Sequence, residues 1–132
     1  MVIDTSALVA ILGMEREAAS LARALEADQL RLISAAALVE AAIVIESRYG
    51  EAGGRELDLL IAKAEIEVRA VDAGQVLFAR EAWRRYGKGR HPAGLNFGDC
   101  FSYALAKATG EPLLFKGEDF AKTDILAVPL AP

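Results

Sequence analysis

Short apolar runs alternate with longer amphipathic segments along this chain, and that alternation constrains its fold more than any other feature. "MVID" reads as a buried strand ending in a polar residue, and "TSALVAIL" follows as a helix with Thr5 or Ser6 available to cap it. "EREAASLARALEAD" repeats apolar residues at helical spacing with charges on the other face. "QLRLIS" is a second strand, and Ser34 can cap the helix "AAALVEAAIVIESRYG", which Gly50 closes. Patterning then predicts a helix in "GRELDLLIAKAE", a strand in "IEVRAV" and a helix in "AGQVLFAREAWRRYG" ending at Gly87. "KGRHPAGL" is a Gly/Pro-rich loop. "NFGDCFSYALAKATG" is a helix stopped by Gly110, "PLLF" a strand, "KGEDFAKTD" a turn with one helical turn, and "ILAVPL" a final strand.

Strands that alternate with helices imply an α/β domain: a mostly parallel sheet of four to five strands covered by helices on both faces. No repeat, low-complexity tract or linker divides the chain, so residues 1–132 are read as one domain, long enough to bury a real core. The net charge of −4 argues against a generally basic nucleic-acid binder but leaves room for a local basic patch. A lone cysteine, Cys100, forms no intrachain disulfide and fits a reducing cytoplasm. A lone histidine, His91, excludes a Cys/His zinc cluster and any mechanism needing two imidazoles. The longest apolar run, Ala35 to Ile45, is interrupted by Glu40 and is too short to span a bilayer. The first residues lack the basic region of a signal peptide, so the expected location is the cytoplasm, with no membrane partner.

Parallel sheets of this kind bind ligands beyond the carboxyl ends of their strands. Asp4 stands at that edge of the first strand, and Thr5 and Ser6 can do the capping without it. Glu40 has only apolar neighbours one helical turn away, Ala36, Ala37, Ile43 and Val44, so its face is expected to be buried. A buried carboxylate needs either an arginine partner or a metal ion. Asp99 falls three residues after Asn96, close to a capping box, where it also suits the positive end of the helix dipole. Asp119, with Glu118 beside it, follows the "PLLF" strand at the same edge, whereas Asp124 opens the last strand and fits least well. Asp4, Glu40, Asp99 and Asp119 can converge on one crevice. Such acids repel strongly when desolvated, so a cation must hold them together. All-oxygen acidic ligation points to Mg²⁺ or Mn²⁺, with the hydroxyls of Thr5 and Ser6 in support.

These motifs resemble the PIN-domain ribonucleases, and most closely the VapC toxins of toxin–antitoxin pairs. The resemblance opens with "MVIDTSALVAIL", continues in "AALVEAAIVIESRYG" and is most specific in "RHPAGLNFGDCFSYALAKATGEPLLFKGEDFAKTDI". It implies that Asp4, Glu40 and Asp99 are the three main acidic metal-site residues, with Asp4 and Asp99 as direct ligands. Family members often carry a fourth acid where this chain has Lys116 and Gly117, and Asp119 is the nearest substitute. The resemblance further implies a metal-dependent endoribonuclease, a VapB-type antitoxin partner and a homodimer within their complex. "RRYGKGRH" is the one local basic cluster, and Arg84, Arg85, Lys88 and Arg90 are candidate RNA contacts, with Tyr86 able to stack on a base. His91 is read as part of the loop, Cys100 as a small core residue, and Trp83 and Tyr103 as packing residues.

Other classes fit less well. A Mg²⁺-dependent phosphatase wants a second aspartate two positions after the first, where this chain has Ser6. A phospho-accepting receiver wants adjacent acids, and Asp4 stands alone. A PIN nuclease of RNA processing, or a PIN-like module without catalysis, remains the alternative within the family.

Overall fold

The computed structural model describes residues 1–131. Its elements run β1 (Val2–Ile3), α1 (Thr5–Leu12), α2 (Ala18–Ala27), β2 (Leu32–Ser34), α3 (Ala35–Lys63), β3 (Glu67–Arg69), α4 (Ala73–Tyr86), α5 (Phe97–Thr109) and β4 (Leu113–Leu114), followed by a 3₁₀ turn (Phe120–Lys122). The sheet order is β3-β2-β1-β4 and every pairing is parallel, with Val2 in register with both Leu32 and Leu113. The expected α/β architecture is therefore the observed one.

The strands are short, but their two faces are sharply sorted. Ile3, Ile33 and Leu114 point into a core made with Leu8 of α1, Leu21 and Leu25 of α2 and Ala37 and Ala41 of α3. Val2, Leu32 and Leu113 point the other way, into a core made with Ala82 and Tyr86 of α4 and Tyr103 and Leu105 of α5. This is the two-residue period of a strand buried on both sides.

Two local expectations change. "ILAVPL" forms a single parallel bridge between Ala127 and Leu113 instead of a strand. Leu113 N–H donates to Leu126 O at 2.8 Å and Val128 N–H donates to Leu113 O at 3.0 Å, after which Pro129 has no N–H to continue a ladder. Gly50 breaks the helix, as expected. It joins two helical segments of α3, with φ 68° and ψ −163°, a conformation that needs glycine. Asp4, and neither Thr5 nor Ser6, caps α1: its carboxylate accepts from Ser6 N–H. The loop after α4 is closed by a bridge between Gly87 and Leu95.

Candidate active site

The carboxyl ends of β1 and β4 open on a cleft of about 310 Å³ lined by Asp4, Glu40 and Asp99. These three residues come from three segments far apart in the chain, and each reaches the cleft for a local reason.

Asp4 is carried to the sheet edge by β1 and is almost fully buried, 3% exposed. Its Oδ2 accepts from Ser6 N–H at 3.0 Å and from Ser6 Oγ at 2.6 Å. Its Oδ1 accepts from Ser102 Oγ at 2.6 Å. A buried carboxylate is thus held by donors from α1 and α5, and its orientation is fixed. Thr5 lines the cleft but sends its hydroxyl to Ala37 O at 2.9 Å, tying the start of α1 to the first turn of α3. The Ser6 hydroxyl also accepts Lys116 N–H at 3.0 Å, which links the turn after β4 to Asp4.

Asp99 forms the expected capping box. Asn96 Oδ1 accepts from Asp99 N–H at 2.9 Å, and Asp99 Oδ2 accepts from Asn96 N–H at 3.0 Å. Burial, helped by the charges of Asp4, Glu40 and Asp119, pushes its carboxyl up to about 6 against the pull of the Asn96 N–H. The capping role and a place on the cleft wall are both real.

Glu40 is half-buried, because Val39 and Ile43 on its flanks are themselves exposed at 59% and 60%. The expectation of a buried face is corrected: Glu40 stands at the border between core and cleft. It makes no ion pair among the described residues, so the arginine partner does not materialise. Asp119 is exposed at the start of the 3₁₀ turn and does not line the cleft, although its charge reaches Asp99. Glu118 is exposed beside it.

The donor set suits a hard divalent cation. Every side chain on the cleft that could ligate offers oxygen, Asp4 Oδ1 has one lone pair beyond its bond to Ser102, and Asp99 Oδ1 is free of the capping box. The acids stand around the wall of the cleft: among the described residues, no three His, Cys, Asp or Glu side chains are gathered at ligand spacing.

Several residues here were not anticipated. Ser102 is fully buried on α5, one turn beyond Asp99, and nothing in its local sequence marks it. Arg48 lines the cleft two turns beyond Glu40, on the face shared with Val44; helical periodicity alone could have found it. Lys116 also lines it, and pairs with Glu15 and, at 3.8 Å, with Glu17.

The basic cluster divides. Arg85 is engaged with Glu81 at 3.2 Å and Asp124 at 3.6 Å and donates to Tyr86 Oη at 2.8 Å. Arg90 lies 4.4 Å over the Trp83 ring, and that ring is half exposed, against its expected packing role. Tyr86 is 8% exposed and packs edge-on against His91, so it cannot stack on a base. Arg84 and Lys88 line a second, apolar cleft of about 840 Å³ between α4 and α5, with Trp83, Leu95, Phe97 and Phe101; Asn96 borders both clefts. Asp124 is structural, accepting from Tyr103 Oη at 2.8 Å and from Lys107. Cys100 is buried, its thiol pushed up to about 11 by desolvation, which makes it inert. His91 accepts Ala93 N–H on Nδ1 and shapes its own loop.

The PIN-domain family model matches residues 1–126. Ribonuclease VapC30 of Mycobacterium tuberculosis is 61% identical over 130 residues, 98% of this chain and 99% of that one. Ribonuclease VapC of Mycolicibacterium smegmatis is 63% identical over 128 residues, 97% of this chain and 99% of that one. Among solved structures, Mycobacterium tuberculosis VapC20, described as a sarcin-ricin loop cleaving toxin, aligns with a TM-score of 0.78 at 18% identity over 96% of this chain and 97% of that one. VapBC2 from Rickettsia felis, bound to a fragment of promoter DNA, aligns with a TM-score of 0.73 at 15% identity over 97% of this chain and 96% of that one.

Proposed function

The chain belongs to the PIN-domain family, and from that premise we propose that it is a VapC-type toxin, an endoribonuclease that hydrolyses RNA phosphodiesters with a divalent metal ion. The observation that carries the reading is the meeting of Asp4, Glu40 and Asp99 on one cleft at the carboxyl edge of the sheet. Asp4 and Asp99 would hold the ion, Mg²⁺ or in its stead Mn²⁺, Asp4 with both carboxylate oxygens and Asp99 with one already anchored by the fold. When bound, the ion offsets charge on a non-bridging phosphate oxygen and makes a nearby water easier to deprotonate. Glu40 orients that water and takes its proton; its position on the cleft wall favours it over the exposed Asp119. Ser6 and Ser102 keep Asp4 aimed at the cleft. Attack by water leaves 5′-phosphate and 3′-hydroxyl ends.

RNA would approach along basic side chains beside the two clefts that have no acid partner among the described residues, among them Arg84 and Lys88 on the apolar cleft and Arg48 on the acidic one. The partner is a VapB-type antitoxin, in keeping with the toxin–antitoxin complexes among the structural neighbours from Klebsiella pneumoniae and Rickettsia felis. A homodimer accounts for the apolar surface of α4 and α5, where Phe97 is 80% and Leu77 64% exposed. No helix among the described residues is long and apolar enough to cross a membrane, and a single buried thiol suits the cytoplasm.

The test is cleavage of a labelled RNA by the purified protein. Cutting should require Mg²⁺ or Mn²⁺, stop with a chelator, and leave 5′-phosphates. Asp99→Asn should abolish it with the circular dichroism spectrum unchanged, since asparagine can keep the bond to Asn96 N–H. A variant that cuts like the parent would reduce Asp99 to a cap.

A further inference from the structure

We infer that Gly98 is a positioning residue: its lack of a side chain seats the Glu40 carboxylate against the first turn of α5, beside Asp99. Gly98 is the second residue of α5, where alanine would favour the helix. Its backbone gives no reason for glycine, because the positive-φ glycines are at 50, 89, 94, 110 and 117. The reason is space. A Cβ on Gly98 would fall 2.0 Å from Glu40 Oε2, 2.5 Å from its Cδ and 2.6 Å from Oε1. The Glu40 carboxylate therefore occupies the volume that any other side chain would take.

The kind of atom in the way matters. At Gly87 the nearest obstacle is the Trp83 backbone oxygen at 2.4 Å, so that glycine serves packing. At Gly98 the three nearest atoms all belong to the mobile end of one side chain. A methyl group there can be accommodated by turning Glu40 away, which spares the fold and misplaces the carboxylate. Misplacing a proton acceptor by even an ångström lowers turnover sharply.

This inference rests on the reading of Glu40 as the group that handles the water proton. Gly98→Ala, Glu40→Gln, Glu40→Asp and the double variant Gly98→Ala/Glu40→Asp test it, by thermal melting in chelator and by kcat and KM with Mg²⁺. Gly98→Ala is expected to melt at or above the parent's temperature, with kcat down about 100-fold and KM unchanged. Shortening the acid in the same chain, by Glu40→Asp, should recover part of the lost kcat, because the smaller side chain fits beside the new methyl group. Parental kcat in Gly98→Ala, a lowered melting temperature, or loss of kcat without recovery in the double variant would each overturn the role of Gly98. If Glu40→Gln cuts like the parent, the assignment of Glu40 fails instead, and the inference with it.

Discussion

Asp99 serves two masters at the scale of a single residue. One carboxylate oxygen holds the start of α5, and burial among three other acids raises its proton affinity to about 6 from an ordinary 3.8. A raised carboxyl pKa means that the folded state binds the proton more tightly than the unfolded chain. Its contribution to stability is therefore present below about pH 4 and lost as pH rises through about 6, a swing of about 1–2 kcal/mol after allowance for solvent. Urea titrations of the metal-free protein at pH 4 and pH 7 should show that fall, and Asp99→Asn should flatten it. Divalent ions should bind weakly at pH 5 and more strongly at pH 7, since they compete with the same proton. The capping half of this residue's role is legible in "NFGD" because a capping box is local. Ser102 and Gly98 are not, because what each one touches, Asp4 and Glu40, lies dozens of residues away in the chain.

Elements were readable where period and punctuation agree. Buried strands and amphipathic helices announce themselves by pattern, and Gly110 stops α5 in the left-handed conformation that its sequence position suggests. Reading failed where tertiary context outweighs propensity. "ILAVPL" has strand composition, but Pro129 and its position at the sheet edge leave it one bridge. Glu40 looked buried because periodicity counts apolar neighbours without knowing which of them face solvent. Gly50, by contrast, was legible as a stop: the helix breaks there at positive φ before a second segment resumes. Gly50→Ala should destabilise the protein by about 1–2 kcal/mol, because a Cβ is strained at that φ, while the neighbouring space stays open. Since the bend lies beyond the cleft-lining part of α3, RNA cleavage below the melting transition should be unaffected.

For the whole molecule, the difficulty is electrostatic. A chain of net charge −4 with an acidic cleft must attract a polyanion, so the cations nearest its clefts carry disproportionate weight. Arg84 and Lys88 line the neighbouring apolar cleft while Arg85 is committed to Glu81 and Asp124. Replacing Arg84 and Lys88 by alanine should weaken binding of single-stranded RNA and lower the slope of log affinity against log salt by about 1.4, at about 0.7 per lost phosphate contact. Replacing Arg85 should leave that slope unchanged. The sequence located the basic cluster but could not distribute it, because the ion pairs that remove Arg85 from it depend on how α4 meets the segment around Asp124. The way the sheet is threaded has one more consequence. Val2 has Leu113 as a neighbour, and the acids at 4, 40 and 99 meet only when α5 has docked beside β1. During synthesis, the half-made chain on the ribosome therefore has an incomplete cleft, and an RNA-cutting activity would switch on only once α5 and β4 have emerged and docked.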